Sequence, residues 1–200
     1  MPNRQFDEDI DLMLQKLAGH EGEHTKHKLE MVREKLVSLY RRNLVKINHS
    51  IAELVCAKEL IVRGYDVDVE HPVNNTLVCD IFSVKGDGNM IIEIETGFIP
   101  PEHALDPITY GIARIASKIA RYSNYANKFS LGTPPSNILQ IPELFIKPPL
   151  YRKDEEATMV KNLCDRYYAN PPISINEIKQ ARLHSIYIIN VDEGRIEEID

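Results

Sequence analysis

The stretch that determines the predicted fold is CDIFSVKGDGNMIIEIETG, residues 79–97. Two runs rich in Val, Ile and Phe flank the triplet Gly-Asp-Gly at residues 86–88, which is typical of a tight β-turn. Residues of these types favour β-strands. We therefore predict an antiparallel hairpin with strands over residues 77–84 and 90–96.

The rest of the chain predicts helices and strands arranged around this hairpin. Apolar residues at helical or alternating spacing indicate helices over residues 7–18, 25–45, 51–63, 109–126 and 154–168, strands over 65–70 and 129–131, and a second hairpin over 185–199. The order in mid-chain is helix, strand, strand, strand, helix, strand. It predicts an α/β fold with a mixed sheet, and not a doubly wound parallel one.

Three carboxylates are predicted to converge at the first hairpin. Glu93 and Glu95 are two residues apart, so their side chains leave the same face of the strand. A four-residue loop over 85–88 places Asp80 opposite Glu93, and the same loop shifted by one residue places it opposite Glu95. A three-residue loop would separate the acids unless a bulge intervened.

Carboxylates this close repel one another, and burial among apolar groups would raise the pKa of at least one of them strongly. A divalent cation removes the conflict, and oxygen ligands favour Mg²⁺, Mn²⁺ or Ca²⁺ over Zn²⁺. The competing interpretation is a strand with acids on a solvated face. Ile91, Ile92 and Ile94 argue against it, because a strand this apolar belongs in mid-sheet with helices on both faces.

The order of motifs points to a known superfamily. A helix glutamate, Glu53, precedes LIVRGYDV (60–67), then CDIFSV (79–84), then MIIEIETG (90–97). In this order the chain resembles the PD-(D/E)xK, or restriction-endonuclease-like, nucleases, and most nearly the archaeal Holliday junction resolvases. The resemblance covers residues 50–97. It implies a restriction-endonuclease-like mixed β-sheet core flanked by helices.

The same resemblance implies a function and a site. Glu53, Asp80 and Glu93 would hold Mg²⁺, with Mn²⁺ as a substitute, and the backbone carbonyl of Ile94 would be a further ligand. The expected activity is Mg²⁺-dependent DNA endonuclease cleavage, of a structure-specific or junction-resolving kind. Cys79 stands where the motif name has proline.

The chain departs from the motif at its lysine, where it has Glu95. Glu95 is expected to add a metal ligand or to orient water, and Lys118 of the predicted helix 109–126 is expected to supply the catalytic cation. The alternative is a catalytically impaired nuclease fold that binds nucleic acid or a protein partner. A structural protein whose basic helix serves a partner chain is a further alternative.

The net charge and the basic residues limit the kinds of partner that we expect. The net charge of −6 excludes a globally basic nucleic-acid coat but allows a local basic face. The predicted DNA contacts are Arg41, Arg42, Lys46, Arg114 and Arg121. A homodimer is expected by analogy, because cutting two strands suits two sites related by a two-fold axis.

Other patterns predict where the protein works and how it is organised. The polar, acidic start resembles neither a signal nor a transit peptide, and no apolar run approaches the length of a membrane span, so we expect a cytoplasmic protein. No motif for an organic cofactor is present. We expect a helical N-terminal arm over 1–46, a nuclease-like core over 47–147, and a C-terminal helix and hairpin over 148–200 completing the same domain. The Ile-rich, Lys- and Glu-rich composition is compatible with an archaeal or viral source.

Overall fold

A six-stranded mixed β-sheet lies at the centre of the computed structural model, which describes residues 2–200 and their side chains from residue 4 onward. The strands are β1 (Asp66–Pro72), β2 (Val78–Lys85), β3 (Gly88–Ile94), β4 (Lys128–Thr133), β5 (Ser185–Asn190) and β6 (Arg195–Ile199). The helices are α1 (Pro2–Ala18), α2 (Glu23–Arg41), α3 (Ile47–Val62), α4 (Pro107–Tyr122), α5 (Glu143–Ile146), α6 (Asp154–Asp165) and α7 (Ile175–Gln180).

The strands follow one another across the sheet in chain order, from β1 to β6. β1, β2 and β3 are antiparallel, β4 and β5 continue parallel to β3, and β6 is antiparallel to β5. α4 forms the connection between β3 and β4, because parallel neighbours need a long crossover. The predicted mixed α/β fold is confirmed.

Helices cover both faces of the sheet, as predicted. α1, α2 and α3 pack on one face, in an apolar cluster that includes Leu54, Ile81 and Ile92. α4, α6 and α7 pack on the other face, in a cluster that includes Ile91 and Phe129. Ile91 and Ile92 serve opposite cores because successive strand residues alternate between faces. β3 therefore has no solvated face.

The N-terminal segment is helical, and it forms a layer of the same core. Ile10 of α1 and Leu36 of α2 are fully buried in the cluster that contains Ile92. The C-terminal segment supplies α6, α7 and the edge hairpin β5–β6 of the same sheet. Both ends of the chain thus stabilise the central hairpin.

The turn between β2 and β3 selects the register. Val84 pairs with Asn89 and Lys85 pairs with Gly88, which is the first of the two predicted registers. Gly86 has φ +60°, a left-handed conformation that glycine adopts at little cost in such a turn. This register places Asp80 of β2 directly opposite Glu93 of β3.

α2 ends at Arg41, and not at residue 45 as predicted. Asn43 adopts φ +58°, and the Leu44 N–H donates to the Leu39 carbonyl at 3.1 Å. A left-handed residue directly after the last turn is a common helix terminator, and asparagine tolerates this conformation. Lys46 therefore lies in the connection that leads into α3.

Residues 2–200 contain seven α-helices and three cysteines. None of the helices there combines the length and the apolar character needed to cross a bilayer. Cys56, Cys79 and Cys164 are buried free thiols.

Ile92→Ala tests the assignment of β3 to the centre of the core. Ile92 is fully buried, so its truncation should lower the free energy of unfolding by about 2–5 kcal/mol. Ile138→Ala is the matched control: Ile138 is 80% exposed and should cost less than about 0.5 kcal/mol. Equal losses in urea unfolding of the two variants would contradict the assignment.

Candidate metal centre

α3 carries two titratable side chains one helical turn apart, His49 and Glu53. Residues four apart share a helix face, and Nε2 of His49 lies 3.9 Å from Oε1 of Glu53. Glu53 is fully buried, and its chain neighbours Leu54 and Cys56 belong to the apolar core. α3 therefore carries a carboxyl group into the interior, next to a partly exposed imidazole.

Glu70 of β1 and Asp80 of β2 lie opposite each other, one step beyond the paired residues Val69 and Ile81. Glu70 has φ +46°, which is uncommon for a residue with a side chain. Such a conformation costs about 1–3 kcal/mol, and proteins retain it most often at functional sites.

β1 changes the face to which its side chains point at Glu70. Val69 packs in the core formed with α1–α3. His71, two residues further, stacks on Phe82, which packs against the opposite core. In a regular strand residues two apart share a face. The left-handed backbone of Glu70 accounts for the change and places this residue beside Asp80.

His49, Glu53, Glu70 and Asp80 form what we call the ligand group. One ligand atom from each lies within 4.8 Å of the others. Nε2 of His49 is 3.1 Å from Oδ1 of Asp80. The structure thus brings together the predicted ligands Glu53 and Asp80 and adds an imidazole and a third carboxylate. Glu93, the other predicted ligand, is not part of this group.

Lys118 of α4 lies on the other side of Asp80. Its Nζ is 3.4 Å from Oδ2 of Asp80 and 3.2 Å from Oε2 of Glu93. Glu93 also accepts the backbone N–H of Asp80 at 3.1 Å. Lys118 donates to the Ile94 carbonyl at 2.7 Å, so this carbonyl is engaged by an ammonium instead of facing a metal ion as expected. The predicted cation is therefore in contact with two of the predicted acids.

Glu95 is turned away from the ligand group. Its carboxylate accepts hydrogen bonds from the guanidinium of Arg114 and, at 2.9 Å, from the N–H of Gly97. Arg114 donates in addition to the carbonyl of Phe98. Glu95 therefore anchors the loop after β3 to α4, and this role replaces the extra metal ligand expected from the sequence.

Burial raises the pKa of three carboxyl groups in the site. It raises the pKa of Glu53 well above its ordinary range, and the charge of Asp80 adds to the effect. The pKa values of Glu70 and Glu93 rise for the same two reasons. These groups hold protons more tightly than free carboxyl groups do, because the ionised forms lose hydration and repel one another.

Asp80 behaves in the opposite way. Burial acts to raise its pKa, but the charge of Lys118 and the hydrogen bond from His49 outweigh it, so the pKa falls. Burial likewise acts to lower the pKa values of His49 and Lys118, and the carboxylates around them raise both. Asp80 is therefore the ionised centre of the site, between the imidazole of His49 on one side and the ammonium of Lys118 on the other.

Glu53 shows that the site fits a further cation. Both of its carboxylate oxygens are buried, and neither has a hydrogen-bond partner in the described part of the chain. A buried carboxylate without a partner is costly, and either a proton or a cation relieves the cost. Glu70 and Asp80 add acidic ligands beside it, which is the donor set that divalent ions prefer.

Three of the predicted DNA contacts are engaged within the protein. Arg41 forms an ion pair with Asp7 at 2.9 Å, and Arg114 is bound to Glu95. Arg121 donates to two backbone carbonyls of the segment after α6. These side chains form contacts between elements of the fold, and their contact with DNA stays a prediction.

The basic helix α2 is neutralised in a similar way. Four more of its cations are paired with acids at 2.5–3.0 Å: Lys26 with Glu23, Lys28 with Asp66, Arg33 with Asp11, and Lys35 with Asp68. Of the predicted DNA contacts, Arg42 and Lys46 are the two whose side chains have neither an ion pair nor a hydrogen bond within residues 2–200, whereas Arg121 binds backbone carbonyls. The local basic face is thus reduced to the connection between α2 and α3.

Two members of the ligand group were not among the predicted ligands. The sequence places His49 one turn before Glu53, where it can reach the site, but a capping or packing role is an equal interpretation. The sequence does not place Glu70 there, because regular alternation predicts that it points away from α3. Its position depends on a left-handed backbone that the sequence around it does not indicate.

Comparisons of this chain with protein-family models, with curated proteins and with solved structures find no match. The function is therefore inferred from the chemistry of the site.

Glu53→Gln tests the charge balance of the site. Between the ordinary pKa of 4.5 and the raised pKa of Glu53, the folded protein holds a proton that the unfolded chain has lost. Stability therefore falls as the pH rises through this window. Without divalent ions, the variant should exceed the wild type by about 1–3 kcal/mol at pH 8, and the gain should shrink towards pH 4.5.

The control for this measurement is Glu30→Gln, since Glu30 is exposed on α2 and has no ion pair among the described residues. Its stability should follow that of the wild type at every pH. Thermal unfolding in a chelating buffer measures all three proteins. A Glu53→Gln variant less stable than the wild type at pH 8 would show that the carboxylate is compensated in the apo protein.

Proposed function

We propose that this protein is a metal-dependent DNA endonuclease of the PD-(D/E)xK type. The observation that carries the proposal is the buried carboxylate of Glu53, which has no hydrogen-bond partner among the described residues and lies in a group of four ligand atoms no more than 4.8 Å apart. A lysine lies on the other side of the central acid. Acids that hold a divalent ion beside a cation that contacts phosphate are the usual components of phosphodiester hydrolysis.

The topology supports the proposal. From α3 to β4 the order is helix, three antiparallel strands, helix and a parallel strand. Glu53 lies on the first helix, Asp80 on the second strand and Glu93 on the third, the order that the motif requires. These positions follow from the chain path and are independent of the side-chain distances.

The ligand group would hold the ion through His49, Glu53, Glu70 and Asp80. A divalent ion held there would supply polarisation of the phosphoryl oxygen and a lowered pKa of the attacking water. Carboxylates suit Mg²⁺ and Mn²⁺, whereas an imidazole favours transition metals. His49 therefore shifts the expected preference from Mg²⁺ towards Mn²⁺.

Lys118 would replace the motif lysine. Glu95 occupies the position of that lysine and is bound to Arg114. Lys118 brings its ammonium to the same strand from α4, and the acids around it raise its pKa, so that it stays protonated. It can offset negative charge on a phosphate, while Glu93 positions it and the backbone of Asp80.

One observation favours a second candidate, a nuclease fold that binds nucleic acid without cutting it. The missing motif lysine is a change that impairs catalysis in such a site. A cytoplasmic location, a homodimer, and an archaeal or viral source stay predictions from the sequence.

Asp80→Asn tests the enzymatic proposal. The wild type should cleave DNA with Mn²⁺ or Mg²⁺, and the variant should lose at least about 100-fold in rate because the central charge is gone. Gel assays on branched and linear DNA measure this. Asp87→Asn, in the exposed turn between β2 and β3, is the matched control and should retain full activity. Intact DNA under both ions, together with a salt-sensitive gel shift, would favour the binding protein.

His49→Ala tests the metal preference. Isothermal titration calorimetry should show a loss of about tenfold or more in Mn²⁺ affinity and a smaller loss in Mg²⁺ affinity, because only the nitrogen ligand is removed. His27→Ala, at an exposed position of α2, should leave both affinities unchanged. Equal losses for the two ions would exclude His49 as a direct ligand.

A further inference from the structure

A cavity of about 500 Å³ opens onto the ligand group. His49 and Glu70 lie in its wall, together with Lys46 and the apolar side chains of Leu44 and Phe98. Its volume is in the range of sites that enclose small molecules or single groups of a larger one. Any substrate that reaches the ligand group from this side passes Leu44 and Phe98.

Phe98 is an exposed aromatic residue in a fixed position. Its side chain is 65% exposed. Its backbone carbonyl accepts a hydrogen bond from Arg114, and the same guanidinium binds Glu95. The Glu95 carboxylate also accepts the N–H of Gly97 at 2.9 Å. Hydrogen bonds therefore hold the backbone of the loop at Gly97 and Phe98. Ordering this loop costs little further entropy when the ring binds a flat group.

The charge around the cavity is too small for duplex DNA. Proteins that bind a duplex through its backbone typically make 6–10 phosphate contacts. Lys46 is the cation in the wall of this cavity, and Arg42 lies close to it in the chain. The other basic residues of α2 are engaged in the ion pairs described above. An aromatic residue beside a cation, here Phe98 beside Lys46, suits single strands, whose base faces are free to stack.

We propose that the cavity takes an unpaired nucleotide of DNA, whose base stacks on Phe98 while Lys46 contacts its phosphate. This inference rests on the proposed nuclease function and names its substrate as single-stranded or locally unpaired DNA. The stacked base would lie beside Leu44, and the adjoining phosphodiester would face His49 and Glu70. Phe98 is then a specificity-determining residue for that reaction.

The experiment compares the binding of single-stranded and duplex DNA under conditions that suppress cleavage. A labelled DNA single strand of about 12 nucleotides, and the blunt duplex of the same sequence, are titrated with the full-length protein in Ca²⁺ and followed by fluorescence anisotropy. The wild type should bind the single strand at least about tenfold more tightly than the duplex. Phe98→Ala should weaken single-strand binding about tenfold and leave duplex binding unchanged, whereas Phe98→Trp should retain both.

Two further variants complete the design. Ile138→Ala removes an exposed apolar side chain from the neighbouring cavity, on the other side of the loop, and should change nothing. Lys46→Ala should weaken single-strand binding and reduce the slope of its salt dependence by about one. Both positions are exposed, so the variants are expected to fold, and thermal unfolding checks this.

The outcomes separate this inference from the nuclease proposal. Tighter binding of the duplex, or no effect of Phe98→Ala on single-strand binding, would each overturn the inference, even if DNA is cleaved in Mn²⁺. A single-strand preference that depends on Phe98, without any cleavage, would support the inference and overturn the nuclease activity.

Discussion

The structure of the site depends on one buried negative charge, that of Asp80. Its carboxylate is only 14% exposed and lies between the two helical layers, with His49 of α3 at 3.1 Å on one side and Lys118 of α4 at 3.4 Å on the other. An ionised acid in such a place needs partners, and both layers supply one. The same charge raises the pKa values of Glu53, Glu70 and Glu93 around it. Asp80 thus connects the helical layers and sets the protonation of its neighbours.

The distribution of cations follows from this constraint. Four carboxyl groups close together face only one lysine and one histidine, so the site keeps an excess of acid that favours a divalent ion. Most basic residues that the sequence offers for nucleic acid also form contacts between elements of this acidic protein. The surface that remains at the mouth of the site is apolar and aromatic, and it carries little positive charge. Recognition by stacking fits such a surface better than recognition by phosphate contacts.

Glu95 and Lys118 together take the place of the single lysine in the motif. A lysine at residue 95 would place its ammonium beside the acids directly from β3. Here Glu95 anchors the loop that carries Phe98, and Lys118 brings the ammonium from the facing helix. The helix spacing of four residues between Arg114 and Lys118 lets one face of α4 serve both purposes.

Local patterns were sufficient to predict much of the fold. Alternating Val and Ile residues, the turn at residues 86–88 and the helical spacing of apolar residues predicted the central elements. They left Asp80 opposite either Glu93 or Glu95, and the structure has the first of these registers. Glu53 and Lys118 were indicated by the resemblance to the PD-(D/E)xK nucleases and not by local patterns. The end of α2 was missed, because Asn43 stops the helix within a stretch whose apolar spacing continues.

The sequence by itself determined the mixed α/β architecture, the hairpin and three of its acids, since these depend on the periodicity of neighbouring residues. Only the tertiary structure decided which acids share a site. Glu70 lies in the site because of its left-handed backbone, whereas Glu95 lies outside it in an ion pair with Arg114. Basic residues of α2 form ion pairs with acids that are distant in the chain. The physical reason is that a charged side chain interacts with every charged group within a few ångströms. Packing, and not sequence spacing, determines which groups those are.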